Sequence, residues 1–348
     1  MEDELYIARC LQLAAQGGGY VAPNPMVGAV LVADGKIIGE GYHRAYGQAH
    51  AEKNAIDSVK AHNTKLLSKS TMYVNLEPCA HYGKTPPCAE LIVRCKIPKV
   101  IVGNIDPNPK VAGQGIKILQ NAGINVVTGV LEDKCRELNK RFFTFIEKKR
   151  PFIFLKWAQT ADGFLDKKRN SCAEPPLKIS NELTKILTHK IRTENQAIMV
   201  GTNTVLLDNP KLSARMWAGK NPVRLIIDAK RKIPDNFNIF DSTQPTIIFT
   251  EKNINNSQKN NISFVNIDFQ KDFIDNLLQT IYQQNIHSVL VEGGAHLLNS
   301  FIQCNLWDCA QVEIAPITID NGINAPVLAK FPTKEIDYQN HRILEFDN

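Results

Sequence analysis

Short β-rich runs alternate with segments of helical apolar spacing along almost the whole chain. Strands and helices are told apart by this spacing, because side chains repeat every second residue in a strand and about every 3.6 residues in a helix. The Asp34-Gly35 pair joins the first two predicted strands as a hairpin. The alternation favours an α/β fold in which helices cover a sheet. In the first half, strands are predicted at Val27–Val32, Lys36–Gly41, Thr71–Leu76, Lys99–Gly103 and Ile124–Val127, and helices cover residues 3–15 and begin near His50, Cys88, Gly115 and Glu132.

A charged segment, Glu147-Lys148-Lys149-Arg150-Pro151, separates this half from a second alternating series. We therefore predict two α/β domains, residues 1–147 and 151–348. Residues 253–261 contain five Asn and no core-forming pattern, which predicts an exposed loop or edge. In the second half, strands are predicted at 152–157, 197–200, 223–228, 246–249, 288–291 and 311–315, and helices at 181–193, 271–284 and 295–302.

Composition sets broad limits on the function. A length of 348 residues fits two domains at about 150 residues each, and 43% hydrophobic residues are enough to form cores. The net charge of +6 suits phosphorylated small molecules as well as nucleic acid. The acidic start differs from a signal peptide, and the longest apolar stretch, Met26–Ala33, is too short to span a bilayer, so we expect a cytoplasmic protein. Eight Cys are too few for a disulfide scaffold and favour reduced thiols or a metal site.

His50-Ala51-Glu52, Pro78-Cys79 and Pro87-Cys88 together indicate a metal-dependent reaction. One imidazole and two thiolates supply three ligands to a tetrahedral zinc ion and leave the fourth position for water. Zinc lowers the pKa of that water, and Glu52 is spaced to carry a proton to a leaving amine. His50 and Cys88 begin predicted helices, whose positive ends favour anionic groups. This layout is typical of the zinc-dependent base deaminases and predicts one zinc ion bound by His50, Cys79 and Cys88.

Taken singly, each of these residues has a structural interpretation, because Cys is often simply buried and a lone His on a helix is often packed or exposed. The combination favours zinc, since a Pro precedes each Cys and the Glu stands at the expected offset. The remaining cysteines lack partners at ligand spacing and are predicted to be structural; they are Cys10, Cys95, Cys135, Cys172, Cys304 and Cys309.

The cysteine spacing departs from the generic deaminase pattern, because eight residues rather than two separate Cys79 from Cys88. The longer loop, Ala80-His81-Tyr82-Gly83-Lys84-Thr85-Pro86-Pro87, resembles that of the bifunctional riboflavin-biosynthesis deaminase/reductases. The resemblance extends to Asn24-Pro25-Met26-Val27-Gly28-Ala29-Val30, to Gly41-Tyr42-His43, and to Asp106-Pro107-Asn108-Pro109 with Gly113 and Gly115. It covers essentially the whole chain and implies a cytidine-deaminase-like α/β/α sandwich in the first half.

The resemblance implies a diaminopyrimidinone substrate with a ribosylamino 5′-phosphate, whose ring 2-amino group leaves as ammonia. Asn24 offers an acceptor and donors to the pyrimidine edge, and Lys84 a point charge to the phosphate. Asp106 lies in a Pro-rich turn at a strand end, where ligand contacts occur, although a turn that only shapes the loop is the alternative. For His81 and Lys84 the alternative is a solvated loop face. The predicted substrate contacts in this half are Asn24, His43, His81, Lys84, Asp106 and Asn108.

Four motifs in the second half each stand where a predicted strand ends. Gly293-Gly294 precedes a helix, so backbone N–H groups there can approach a pyrophosphate, and Gly201 with Thr202 and Thr204 has the same pattern. Glycine pairs alone are weak indicators, because a tight turn explains them equally well. The motifs are Leu155-Lys156-Trp157-Ala158-Gln159-Thr160-Ala161-Asp162-Gly163, Val200-Gly201-Thr202-Asn203-Thr204-Val205, Asp208-Asn209-Pro210-Lys211-Leu212 and Val291-Glu292-Gly293-Gly294-Ala295.

As a set, these motifs resemble the reductase half of the same riboflavin enzymes, a dihydrofolate-reductase-like domain that uses NADPH. The implied reaction transfers a hydride to C1′ of the ribosyl group and yields a ribityl chain. Asp208 is predicted to position or protonate the substrate, or else to cap a turn. The predicted cofactor contacts are Gly201, Thr202, Thr204, Gly293 and Gly294. The predicted substrate contacts are Lys156, Arg192, Arg215 and Glu292, and Arg224 is a further candidate for an anionic group.

This half departs from the family pattern in two places. Gln196 stands where the family commonly has Asp before its central strand. Residues 167–178 are basic at first and then contain Cys172 and Pro175-Pro176, where the family has a shorter Gly/Ser-containing loop. A weakened reductase, or a changed cofactor preference, is therefore a hypothesis to test.

Three functions are compared. The first is a bifunctional enzyme that deaminates and then reduces a riboflavin precursor. The second keeps the deaminase but makes the other half a structural or regulatory module without turnover. The third is a nucleic-acid-editing deaminase with an RNA-binding module, which the dispersed basic residues and the 7% aromatic content disfavour. We expect no nucleic-acid or membrane partner, and the resemblance implies a homo-oligomer, either a dimer or a tetramer.

Overall fold

The computed structural model describes residues 2–82, 86–109, 111–254, 261–270 and 272–348. The chain divides into two units, Met1–Lys149 and Arg150–Asn348. No helix among the described residues is long and apolar enough to cross a membrane.

The first unit is a five-stranded sheet with helices on both faces. The strand order is β2-β1-β3-β4-β5; β1 is antiparallel to β2 and β3, and β3, β4 and β5 are parallel. A 3₁₀-helix covers Ala61–Lys69. The strands are β1 Gly28–Ala33, β2 Lys36–Tyr42, β3 Thr71–Val74, β4 Lys99–Val102 and β5 Asn125–Thr128. The helices are α1 Glu2–Ala15, α2 Ala51–Asp57, α3 Cys88–Arg94, α4 Gln114–Asn121, α5 Glu132–Leu138 and α6 Lys140–Glu147.

Alternating side chains of β1 fill two separate cores in this unit. Ala29 and Leu31 pack in one core with residues of α2, α3 and α4. Val30 and Val32 pack in the other with residues of α1 and Cys135 of α5. This is what the two-residue repeat of a strand requires when both faces of a sheet are covered. The first unit is therefore an α/β/α sandwich.

The second unit contains a nine-stranded sheet in the order β11-β10-β9-β8-β12-β6-β13-β16-β15. Strands from β11 to β13 are parallel, and β16 and β15 extend the sheet in antiparallel fashion. Strands β7 and β14 form a small second sheet. The strands are β6 Phe152–Thr160, β7 Phe164–Asp166, β8 Ala197–Gly201, β9 Val223–Ile227, β10 Thr246–Thr250, β11 Ile262–Asn266, β12 Ser288–Val291, β13 Cys309–Ala315, β14 Ile323–Asn324, β15 Lys334–Tyr338 and β16 His341–Asp347. The helices are α7 Glu182–Glu194, α8 Thr202–Asp208, α9 Phe273–Gln283 and α10 Ala295–Gln303, with a 3₁₀-helix at Asn238–Phe240.

The two faces of the large sheet have different cores. Leu155 and Trp157 pack on the face that α9 and α10 cover. Phe154 packs on the other face, with Ile191 of α7 and Val205 of α8. Lys156 and Glu313 follow the alternation onto this second face, where Thr184 of α7 lies. Lys156 and Glu313 therefore place charged groups on the face of the sheet that α7 covers.

The structure corrects the sequence prediction at several elements. The long helix expected from Glu132 is two helices, α5 and α6, which meet at Asn139. Asn139 is buried, and its side chain both accepts from Met26 N (2.8 Å) and donates to Met26 O (2.9 Å), so it serves the sheet edge rather than a continuous helix. The prediction also missed helix α8, strands β7, β11, β14, β15 and β16, and the 3₁₀-helices.

Burial of His287 gives the second unit a dependence on acid. His287 precedes β12 and is 8% exposed, and burial lowers the pKa of its imidazole to about 4. Between about pH 6.5 and pH 4, His287 is therefore protonated in the unfolded chain but neutral in the folded chain. The free energy of unfolding decreases as the pH falls through that range. We expect a loss of about 2 kcal/mol from this group between pH 7.5 and pH 5.

Chemical denaturation of the wild type and of His287→Gln at both pH values measures this effect. The variant should show a smaller drop in unfolding free energy between the two. Equal drops would mean that His287 does not carry the acid sensitivity.

Candidate active sites

The three predicted zinc ligands come together at one edge of the first sheet. His50 is the N-cap of α2, Cys88 is the first residue of α3, and Cys79 lies in the loop that follows β3. Among the described residues they form the group of His, Cys, Asp and Glu side chains whose ligand atoms could hold a metal ion, all within 4.8 Å of one another. Two helix starts and one strand end thus converge on a single point.

The distances fit a tetrahedral zinc ion. His50 Nδ1 lies 3.4 Å from Cys79 Sγ and 3.4 Å from Cys88 Sγ. With zinc–sulfur bonds of about 2.3 Å and zinc–nitrogen bonds of about 2.1 Å, tetrahedral angles put such atoms about 3.6 Å apart. The Cys88 thiol, the His50 ring and the backbone N–H of Cys88 hold the pKa of Cys79 well below the usual thiol value, against the effect of burial. That N–H donates to Cys79 Sγ at 3.3 Å. A soft, anionic donor set of this kind suits zinc.

Glu52 faces this cluster from the first turn of α2. It is 3% exposed, and burial, with the nearby Cys79 sulfur, raises the pKa of its carboxyl group to about 7. A carboxyl group with a pKa near neutrality can both accept and release a proton at physiological pH. Glu52 therefore has the location and the acid–base character of a proton carrier beside the three ligands.

His43 connects the ligand cluster to Asn24. Its ring centroid lies 5.4 Å from that of His50, and its Nδ1 lies 3.1 Å from Ala49 O. Burial lowers the pKa of His43, so the neutral ring donates from Nδ1 to Ala49 O and accepts at Nε2 from Asn24 Nδ2, at 3.1 Å. The amide oxygen of Asn24 accepts no hydrogen bond from the described residues.

Sheet topology explains why these distant residues meet. Strands β2, β3 and β4 all end at one edge, and β1 begins there because it is antiparallel to its neighbours. The segments after β2, β3 and β4 carry His43, Cys79 and Asp106, and the segment before β1 carries Asn24. The carboxyl edge of parallel strands is where α/β proteins place ligands.

Asp106 lies in the turn that follows β4. Burial raises the pKa of Asp106 to about 6, the backbone N–H of Asn108 opposes this, and the charges of Glu77, His81 and Cys79 have smaller effects. Asn108 N donates to Asp106 Oδ1 at 2.8 Å, so the shape-determining turn considered from the sequence is present as well. His81 is exposed. Lys84 lies outside the described residues.

In the second unit, the predicted cofactor residues meet at the ends of two neighbouring parallel strands. Gly201 ends β8 and is the N-cap of α8, and Gly294 follows β12 and is the N-cap of α10. A Cβ on Gly293 would lie 2.7 Å from Val200 Cα, and one on Gly294 would lie 3.2 Å from Thr204 Oγ1. Thr202 Oγ1 donates to Ile227 O at 2.6 Å. The structure thus brings Gly201, Thr202, Thr204, Gly293 and Gly294 together.

Arg192 and Glu292, expected as separate substrate contacts, pair with each other. The guanidinium donates to both carboxylate oxygens, at 2.9 and 2.6 Å, and also to Ser213 O at 2.9 Å. Burial opposes ionisation of Glu292, but Arg192 outweighs it and holds the pKa of that carboxyl below its usual value. Such a bidentate pair fixes the orientation of both side chains.

Glu313 is a buried partner of Lys156 that the sequence analysis missed. Lys156 Nζ lies 3.7 Å from Glu313 Oε2, and Glu313 is 0% exposed. The carboxylate also accepts from Ser180 Oγ (2.6 Å), Thr184 Oγ1 (2.7 Å) and His341 Nδ1 (2.9 Å). A Glu inside the apolar Val312–Ala315 run is the signal that could have revealed it, because such a residue needs a buried partner.

The remaining arginines have different surroundings. Arg215 is exposed. Burial lowers the pKa of His189 to about 4, and the charges of Arg192 and Arg215 add to this effect. Arg224 is fully buried, and its guanidinium is bound to Asp241, Thr243 and backbone carbonyls. Arg224 therefore holds the fold, and the expectation that it is available to an anionic ligand is wrong.

Asp208 ends α8 and is held by Arg169 from the segment that departs from the family pattern. Arg169 donates from Nη2 to Asp208 Oδ1, from Nε to Asp166 Oδ2 at 2.6 Å and from Nη1 to Leu207 O at 2.9 Å. The side chain of Asp208 is 36% exposed, whereas that of Arg169 is 3% exposed. The residue 167–178 segment is thus attached to the end of α8.

Gln196 lies at the opposite end of the sheet from the cofactor residues. It precedes β8, its Oε1 accepts from His287 N at 2.9 Å, and its Nε2 donates to Asn285 O at 3.2 Å. These bonds join the amino ends of β8 and β12, whereas the cofactor residues stand at the carboxyl ends. This departure from the family pattern is therefore structural in its contacts.

The fold and the two sites define a zinc-dependent base deaminase joined to an NADPH-dependent reductase. Residues 1–104 match the family model for the cytidine and deoxycytidylate deaminase zinc-binding region, and residues 151–330 match that for the RibD C-terminal domain. The chain belongs to the RibD family of riboflavin biosynthesis proteins, which are bifunctional deaminase/reductases. The predicted fold class and the zinc and NADPH cofactors are confirmed.

Relatives of known name match the chain over nearly its full length. The chain is 39% identical to the riboflavin biosynthesis protein RibD of Aquifex aeolicus, over 92% of this chain and 89% of that one. The crystal structure of a diaminohydroxyphosphoribosylaminopyrimidine deaminase/5-amino-6-(5-phosphoribosylamino)uracil reductase from Thermotoga maritima has a TM-score of 0.87, 34% identity, and coverage of 99% and 98% of the two chains. RibD of Acinetobacter baumannii has a TM-score of 0.89, 31% identity and the same coverage.

Metal analysis of two cysteine variants tests the ligand set. Cys88→Ser should lose most of the zinc that the wild type binds, because it removes one of three ligands, whereas Cys95→Ser, at the other end of the same helix α3, should keep one zinc ion per chain. Zinc content is measured by mass spectrometry after dialysis. Full zinc in Cys88→Ser, or zinc loss in Cys95→Ser, would contradict the assignment.

Proposed function

We propose that the chain deaminates 2,5-diamino-6-ribosylamino-4(3H)-pyrimidinone 5′-phosphate and then reduces the ribosyl group of the product to ribityl with NADPH. The observation that carries this proposal is the convergence of His50, Cys79 and Cys88 with the buried Glu52 beside them. The activity named for the Thermotoga maritima relative supports this substrate. Residues 1–147 form the deaminase domain and residues 151–348 the reductase domain in this proposal.

The deamination replaces the ring 2-amino group by an oxygen from water and releases ammonia. His50, Cys79 and Cys88 would hold the zinc ion, which would act as a Lewis acid and make a water molecule nucleophilic at neutral pH. Glu52 takes the proton from that water and gives it to the departing amino group. Its buried carboxyl, with a pKa near 7, can serve in both directions without a large energetic cost.

The substrate-binding roles follow from the polar side chains at the same edge. The amide of Asn24, oriented by its bond to His43, presents its oxygen to the pyrimidine. Asp106 and Asn108 contact the base or ribose from the turn after β4, and His81 contacts the substrate from the loop after Cys79. Lys84 is proposed for the phosphate on its sequence position alone. Neutral His43 avoids adding a positive charge next to zinc.

The reduction takes place at the carboxyl edge of the second sheet. NADPH supplies the hydride, and the N-termini of α8 and α10 hold its phosphates through the N–H groups near Gly201, Thr202, Thr204, Gly293 and Gly294. In this proposal, Lys156 and the Arg192–Glu292 pair bind the hydroxyl groups of the substrate. The exposed Arg215 binds the phosphate.

Asp208 acts as a positioning residue in this proposal. Its ion pair with Arg169 commits one carboxylate oxygen to the protein, which favours orientation of the substrate or cofactor over donation of a proton. The reductase without turnover is not favoured, because Gln196, one of its two motivating features, is bound at the far end of the sheet. A nucleic-acid-editing enzyme is also not favoured by the family membership.

The assembly and location of the protein stay predictions. We propose a homo-oligomer in the cytoplasm, on the resemblance stated above and on the soluble nature of both substrates.

Replacing Glu52 by Gln separates the proton carrier from the metal ligands. Glu52→Gln should lower the rate of ammonia release by about 100- to 10,000-fold, because the amide cannot accept the proton of water. Zinc content and the NADPH-dependent reduction of the deaminated product should stay at wild-type levels. Glu90→Gln, in the equivalent first turn of α3, is the matched control. Ammonia release that survives in Glu52→Gln would remove Glu52 from the mechanism.

Replacing Asp208 by Asn tests the reductase site. Asp208→Asn should slow NADPH oxidation about tenfold or more, since a lost charged hydrogen bond is worth about 1.5–3 kcal/mol, while ammonia release stays unchanged. Asp235→Asn is the control, because Asp235 forms an exposed ion pair with Arg231 in the same unit. Loss of both activities in Asp208→Asn would contradict a separate reductase site.

A further inference from the structure

Glu77 is a buried carboxylate of the first unit that the mechanism above does not use. It lies between β3 and the zinc ligand Cys79 and is 4% exposed. Its Oε2 accepts from the backbone N–H groups of Asp106 (3.2 Å) and Gly113 (2.9 Å), and its Oε1 accepts from Gly115 (3.0 Å) and Ile116 (3.3 Å). All four donors belong to the segment that follows β4. One side chain therefore ties that segment to the ligand loop.

Helix α4 needs this carboxylate at its start. Gly113 is the N-cap of α4 and has no side chain to accept from the first N–H groups of the helix. Glu77 takes that role from a position far away in the sequence, since Gly115 and Ile116 are the second and third residues of the helix. A negative group at a helix N-terminus also interacts favourably with the helix dipole.

The backbone beside Cys79 packs directly on α4. A Cβ on Gly115 would lie 1.9 Å from the carbonyl oxygen of Pro78, so only glycine fits there. The backbone N–H of Glu77 donates to Asn104 O at 2.9 Å, which adds a second attachment just before Asp106. The ligand loop and the turn that carries Asp106 and Asn108 are thus held in one fixed relation.

We propose that Glu77 is a positioning residue of the deaminase, which holds Asp106 and Asn108 in place to bind the ribosylamino pyrimidine phosphate beside zinc. This inference rests on the proposed function. The carboxylate is required because four N–H donors converge on it. An amide would turn its own NH₂ group toward two of those donors and lose both bonds.

Glu77→Gln should raise the KM for ammonia release about 10- to 100-fold, as expected when a substrate-binding turn is released. The kcat at saturating substrate, the zinc content and the NADPH-dependent reduction of the deaminated product should change less than threefold. Glu132→Gln is the matched control, because Glu132 is an exposed Glu in the first turn of α5 in the same unit. A KM equal to that of the control, or a fall in kcat with loss of zinc, would overturn the proposal.

A double-mutant cycle identifies the route by which Glu77 acts. If Glu77 works through the turn, Glu77→Gln should raise KM by less than threefold in a background that carries both Asp106→Ala and Asn108→Ala. The full effect in that background would show that Glu77 acts elsewhere and would contradict the proposal.

Hydrogen exchange supplies a readout that needs no substrate. In Glu77→Gln, the amides of residues 104–116 should exchange at least tenfold faster, whereas α2 should keep wild-type protection. Unchanged exchange at 104–116 overturns the positioning role. If the wild type releases no ammonia from this substrate although the exchange result holds, the proposed function fails and the role of Glu77 in ordering the turn stands.

Discussion

The convergence of His50, Cys79 and Cys88 is the constraint on which the first unit depends. Three segments that are distant in sequence must place His50 Nδ1 at 3.4 Å from both Cys79 Sγ and Cys88 Sγ. The sheet achieves this because β2, β3 and β4 end at one edge while β1 begins there. The same edge then receives Glu52, Asn24 and Asp106 without any further rearrangement of the backbone. The zinc ligands and these polar side chains are thus brought to one edge by the same sheet topology.

The second unit solves a different physical problem, which is the burial of charge. Lys156 and Glu313 form an ion pair on the face of its sheet that α7 covers. Arg192 of α7 forms another with Glu292, which follows β12. A buried charge without a partner costs several kcal/mol, so each of these groups is paired. The pairs hold long side chains in single orientations. These charges are held largely inside the protein, since only 0% to 14% of each side chain is exposed.

The sequence predicted the parts of both units that are encoded locally. The apolar periodicity gave most strands and helices, and the spacing of His50, Glu52, Cys79 and Cys88 predicted a zinc site that the structure assembles. The edge strand β15 escaped prediction, because charged residues such as Lys334 and Glu335 interrupt its apolar pattern. The helix predicted from Glu132 is divided at Asn139, whose side chain is hydrogen-bonded to Met26, 113 residues away. No local sequence pattern indicates that bond.

Interactions between distant residues account for most of what the sequence could not show. The pairing of Asp208 with Arg169 joins the Asp208–Leu212 motif to the unusual 167–178 segment, two features that the sequence analysis treated separately. The bonds of Gln196 show that a family departure can lie far from the chemistry. Glu313 and Glu77 are acidic residues that directly follow an apolar residue in the sequence. Only the three-dimensional structure shows which groups donate hydrogen bonds to them.

One coupled assay tests the bifunctional activity most directly. Zinc-loaded wild-type protein is mixed with 2,5-diamino-6-ribosylamino-4(3H)-pyrimidinone 5′-phosphate and NADPH, and ammonia and NADPH are followed together. Ammonia should appear first, NADPH should then be consumed in equal amount, and ammonia release should continue when NADPH is left out. Zinc-loaded protein that releases no ammonia, or that consumes NADPH without prior deamination, would contradict the account.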